Sequence, residues 1–144
     1  MNLGVAVAAL MTAATPTSVH EVTVDHAGTA FRLVYAPRIE ARAKTVGHAI
    51  GTRTSTERCR WTIAVQVERR IHSGDSGEPL AKLLPETRDW QGEMPGNCRQ
   101  HADTIAAAQA MRDEAIRRHV AAVASADRPA AVAEIDAARA LALN

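Results

Sequence analysis

The chain has 144 residues, the length of one domain, and a formal net charge of +1. Hydrophobic residues make up 47%, but thirty of them are alanine, and only Phe31, Tyr35, Trp61 and Trp90 are aromatic. This balance excludes a disordered chain, a collagen-like repeat, a disulfide-dense mini-protein and a multi-span membrane protein, and it implies a modest core of Val, Ile and Leu.

The first side chain charged at neutral pH is Glu21. Before it, Leu3 to Ala14 is a run of apolar and small residues, followed by Thr15, Pro16, Thr17 and Ser18. That length suits the apolar segment of a secretory signal and is too short to span a bilayer. Thr12 and Ala14 supply small residues for cleavage. Residues 1–18 are therefore expected to be a signal peptide, and 19–144 a single domain, periplasmic or secreted. An apolar N-terminal helix packed on the domain is the competing reading, because no Lys or Arg precedes the run.

Residues 19–25 alternate, with His20, Val22 and Val24 on one side. Asp25 to Gly28 reads as a turn, and 29–36 alternates again through Phe31, Leu33 and Tyr35, so a β-hairpin is expected. Pro37 punctuates. Residues 38–46 set Ile39, Ala41, Ala43 and Thr45 opposite Arg38, Glu40, Arg42 and Lys44, the pattern of an edge strand with a charged outer face. The Gly-, Thr- and Ser-rich stretch from Gly47 to Thr56 reads as a loop.

The clearest strand is 58–70, where Cys59, Trp61, Ile63, Val65 and Val67 share one face. Residues 71–96 hold Pro79, Pro85, Pro95 and four glycines, and read as a long irregular connection with a short turn of helix near Leu80–Leu84. From Asn97, a plausible N-cap, the period changes to helical. Cys98, His101, Ile105, Ala108, Ala115, Ile116, His119 and Val123 fall on one face of a helix of about 25 residues. Asp127 is expected to cap a second helix with Pro129 in its first turn, packing through Val132 and Ile135. The expected fold is α+β: a small antiparallel sheet of about four strands covered on one face by helices.

Cys59 and Cys98 lie 39 residues apart, and neither belongs to a Cys-x-x-Cys pair. In an exported chain they are expected to form a disulfide. Both sit on apolar faces, so the bond would pin the helix start across the sheet.

Charge is unevenly placed. Residues 28–72 carry nine Lys/Arg and three Asp/Glu, whereas 73–96 carry two and five. Arg32, Arg38, Arg42, Lys44, Arg58, Arg60 and Arg70 all take even positions, opposite the apolar face of their strands. If the strands pair, these residues build a basic face suited to an acidic protein, a glycan or a lipid headgroup, or a solvated face neutralised by Glu40, Glu68 and the acidic 73–96 segment. Nucleic acid is a weak candidate, because no aromatic residues interleave that face.

No catalytic residue, metal site or cofactor emerges from the motifs. The six histidines form neither an HExxH nor a His-x-His arrangement. Gly74-Asp75-Ser76-Gly77 matches a string around the nucleophile of chymotrypsin-like proteases, but the chain is too short for that double barrel and lacks the partner spacing. Asp113-Glu114 reads as helix solvation, and Trp90 as a plug at the edge of the core. Two functional readings remain. One is a non-enzymatic module, structural or binding an anionic partner through the basic face. The other is a small enzyme or metal-binding protein whose site joins His72, the 71–96 segment and the long helix.

Overall fold

The computed structural model describes residues 18–49, 51, 56–74 and 77–143. The expected signal segment therefore lies, up to Thr17, outside the described residues, and Ser18 is buried against the domain. In chain order come β1 (His20–His26), β2 (Thr29–Val46), β3 (Arg58–Ser73), β4 (Leu80–Pro95), a short 3-10 turn (Cys98–His101), α1 (Ala102–Ala110) and α2 (Asp113–Ala142). The strands pair antiparallel with their sequence neighbours in the order β1-β2-β3-β4. The fold is α+β, as the periodicities imply.

The hairpin expected around Gly28 forms, with Ala27 at φ 47° and Gly28 at φ 79°. Two consecutive left-handed residues match the right-handed twist of the flanking strands. Pro37 does not end a strand. β2 runs through it for 18 residues, because pairing with β1 stops at Tyr35 while pairing with β3 continues to Val46. Beyond Tyr35 one side of β2 is open, and a missing N–H on that side breaks no ladder bond. The edge character expected for 38–46 is thus true of that side alone.

The larger correction concerns 71–96. It is not an irregular connection and contains no helical turn at Leu80–Leu84. It holds the end of β3, which reaches Ser73, and from Leu80 the whole of β4, a strand of 16 residues. Its Pro and Gly residues have specific places. Pro85 lies where the β3–β4 register shifts between Gln66 and Glu68, a bulge on an edge strand that has no ladder bond to lose. Gly92 faces Trp61, and a Cβ there would run into the indole ring. Pro95 is the last residue of the strand.

The helices divide differently from the expectation. Asn97 does cap, its side chain accepting from the Gln100 N–H at 3.3 Å. The break then falls at Met111–Arg112 rather than at Asp127. Asp113 and Glu114 form the acidic first turn of α2, where the helix dipole favours them. Pro129 lies inside α2, which continues for 30 residues. An interior proline costs roughly 3 kcal/mol, and tertiary anchors on both sides of it offset that cost. Ile116, Val120, Val123 and Ala124 are buried before it, and Ala131 and Ile135 after it.

Those anchors meet the inner face of the sheet. Phe31, Leu33 and Tyr35 of β2, Val65, Val67 and Ile71 of β3 and Leu84 of β4 form one cluster with α2, and Trp90 packs against its margin from β4. Cys59 and Cys98 are bonded with Cα atoms 4.8 Å apart, fixing the 3-10 turn to β3. The Cys98 N–H also donates to the Thr45 hydroxyl at 2.9 Å.

Candidate functional site

At the end of the sheet that carries the β1–β2 and β3–β4 turns, the C-terminal turns of α2 stand off from the strands. The gap is a cleft of about 680 Å³. Phe31, Ile71 and Ile135 give it an apolar floor, continuous with the core. Ala138 and Ala142 of α2 form one wall, and Leu80 stands at the opposite side, half exposed. The small alanine side chains keep the cleft open where larger ones would fill it. Arg139 of α2 brings a cation to the cleft, with Ser73 and Glu78 beside the β3–β4 connection; Arg32 and His72, cross-strand partners on β2 and β3, border it from even positions on the outer face of the sheet, where Arg32 lies near Glu21.

Arg139 is held in position. Its Nη2 donates to the Thr29 hydroxyl at 2.6 Å, and its guanidinium lies 5.3 Å from the centre of the Phe31 ring. The cleft thus combines His72, part of the 71–96 segment and a helix. None of its α2 residues was singled out by sequence reasoning as a site residue. Arg139 had a signal only in retrospect: it lies one turn beyond Ile135, on a face that is otherwise alanine.

The basic face is more balanced than the sequence implied. Strand register brings Glu21 and Asp25 from β1, and Asp89 and Glu93 from β4, onto the same side. Arg38 donates to Glu68 through Nε at 2.9 Å, and Arg70 donates to the same carboxylate at 2.6 Å. Burial opposes ionisation of Glu68, yet the bonds from Arg38 and Arg70 outweigh it and hold the carboxyl below its usual range. Arg42 forks onto Glu40 at 2.7 and 2.9 Å. Arg58 and Arg60 share Glu93, and their hydrogen bonds lower its pKa. Arg32 lies 3.6 Å from Glu21. The end near the β2–β3 loop gathers four cations, Arg42, Lys44, Arg58 and Arg60, with Glu40 and Glu93 paired to three of them.

A separate polar cluster lies under α2. Arg69 is 0% exposed, on the core face of β3. It donates to both oxygens of Asp127 at 3.0 and 2.8 Å, and its other terminal nitrogen donates to Glu134. The Tyr35 hydroxyl donates to Asp127 at 3.0 Å, and Lys82 reaches Glu134 at 2.6 Å. Burial, then the Asp127 carboxylate, push the Tyr35 phenol well above its ordinary range. Asp127, expected as a cap, is therefore the anchor that ties α2 to the sheet. The Lys82 hydrogen bond, against a smaller desolvation cost, holds Glu134 low.

The histidines are scattered. His26 meets Asp136 at 2.5 Å and His101 meets the Pro95 carbonyl at 2.7 Å. His119 is half-buried, with Nε2 unpartnered. Among the described residues, no three His, Cys, Asp or Glu side chains are placed to hold a metal ion, and no helix is long and apolar enough to cross a membrane. No protein-family model matches the chain, and neither curated proteins nor solved structures show significant similarity to it.

Proposed function

We propose that this is an exported, non-enzymatic binding module, and that the cleft between the C-terminal turns of α2 and the sheet end is its binding site. The observation that carries this reading is the cleft itself: about 680 Å³, apolar at the floor, with a few polar groups converging at the rim. Small-molecule sites have this composition, with volumes of about 300–1,000 Å³. Export rests on the apolar run before Glu21 together with the Cys59–Cys98 bond.

Extraction is the test. Protein isolated from an envelope or culture fraction should release a small molecule into organic solvent, seen by mass spectrometry. Ala138→Trp, at an exposed position of the cleft wall, should leave the fold intact and lose that molecule. Equal recovery from the variant would sink the cleft as the site.

A second reading has its own observation. The cationic bias of Arg42, Lys44, Arg58 and Arg60 supports a weak docking surface for an acidic protein, glycan or lipid headgroup. Arg32 and Arg38 belong to it less, because Arg38 is tied to Glu68 and Arg32 lies near Glu21, both away from that end of the sheet.

A further inference from the structure

Resting on the cleft as the binding site, we infer that its ligand is a small apolar molecule with an anionic head, of the class of a medium-chain carboxylate. The floor and the head end make separate demands. Phe31, Ile71 and Ile135 offer only apolar surface, so the body of the ligand is hydrocarbon or aromatic. The head end is set by Arg139.

The described arginines of β2 and β3 all have a carboxylate within 4 Å, at distances up to the 3.6 Å of Arg32 and Glu21. Arg139 has none among the described residues. Among the described residues its partners are a hydroxyl and a ring face, Thr29 and Phe31, which fix its direction and carry no opposite charge. A guanidinium oriented in this way over an apolar floor is the preorganised partner of a carboxylate, which it engages through two parallel N–H donors. Among the described residues that line the cleft, Glu78 is the one carboxylate.

One influence runs the other way. The last carbonyls of α2 make that helix end electronegative and would favour a cation. The sign of the head group is therefore decided by comparing ligands of opposite charge on one chain length.

The experiment is calorimetric titration of the full chain with decanoate, decanol and decyltrimethylammonium. Decanoate should bind roughly tenfold or more tighter than decanol, the value of one charge-assisted hydrogen bond, with the ammonium weakest. Arg139→Gln should remove the preference for decanoate and leave decanol unchanged. Arg32→Gln, on the outer face of the sheet beside Glu21, should leave it unchanged. Thermal melts of each variant separate this from loss of fold. Equal affinity for all three probes, with all three blocked by Ala138→Trp, would overturn the anionic head and leave the cleft as the site. Binding that Ala138→Trp does not affect would remove the cleft as well. No binding of any probe would overturn the ligand class, while the extraction experiment still judges the cleft.

Discussion

Arg69→Met isolates the interaction that holds α2 to the sheet. Arg69 is fully buried, and Asp127, its main partner, is only 11% exposed at the side chain. Removing the guanidinium leaves Asp127 with the Tyr35 hydroxyl alone and Glu134 with Lys82 alone. Stranding one member of a buried pair costs about 3–5 kcal/mol. With an unfolding entropy near 2.1 cal/mol/K per residue, a domain of about 126 residues loses about 4 °C per kcal/mol, so the melting temperature should fall by roughly 10–20 °C. Thermal and urea melts of the purified domain measure it. Arg38→Met is the control: its pair with Glu68 involves a 58% exposed side chain and should cost under about 1 kcal/mol. Arg69→Met/Asp127→Asn should recover part of the loss, since no unpaired charge remains at 127 and Asn still accepts from Tyr35. A loss under about 1 kcal/mol for Arg69→Met would refute the argument that this cluster anchors the helix.

Replacing both cysteines by alanine should cost roughly 3–4 kcal/mol by the loop-entropy relation for a 39-residue separation, measured by denaturant unfolding. Gly92→Ala should destabilise by about 1–3 kcal/mol, because the new methyl collides with Trp61. In a Trp61→Ala background the same change should be near neutral, and additivity of the two would contradict the contact. Burial, with help from Arg88 and against Glu86, holds the His119 imidazole below its ordinary value of 6.5. The unfolded chain therefore takes up the proton first, so stability should fall as pH drops below about 6.5 towards the folded value. His119→Gln should flatten that part of a stability-against-pH curve.

Period-2 alternation identified β1, the first half of β2 and the body of β3, because each buries one face and exposes the other. It missed β4 for a physical reason: as an edge strand, with Leu84 its one buried residue, β4 needs no apolar alternation in its sequence and tolerates Pro85 at a bulge. With β4 hidden, its acidic residues could not be set against the arginines, so the outer face read as more basic than it is. Arg69 was legible by parity, since it continues the face of Val65 and Val67, and a charge there demands buried partners. Asp127 and Glu134, seven residues apart on one helix face, supply them. Reading Asp127 as a cap concealed that match. The cleft could not be read from sequence. Its residues come from separated segments, and only the course of α2 past Pro129 brings Ile135 and Arg139 over Phe31.

Amide NMR shifts during titration with decanoate test the site most directly. Changes should be confined to residues 29–32, 71–74, 77–80 and 135–142, absent from the distant end of the sheet, and abolished by Ala138→Trp. Shifts centred instead on Lys44, Arg58 and Arg60, or no shifts at concentrations that saturate the calorimetric signal, would contradict it.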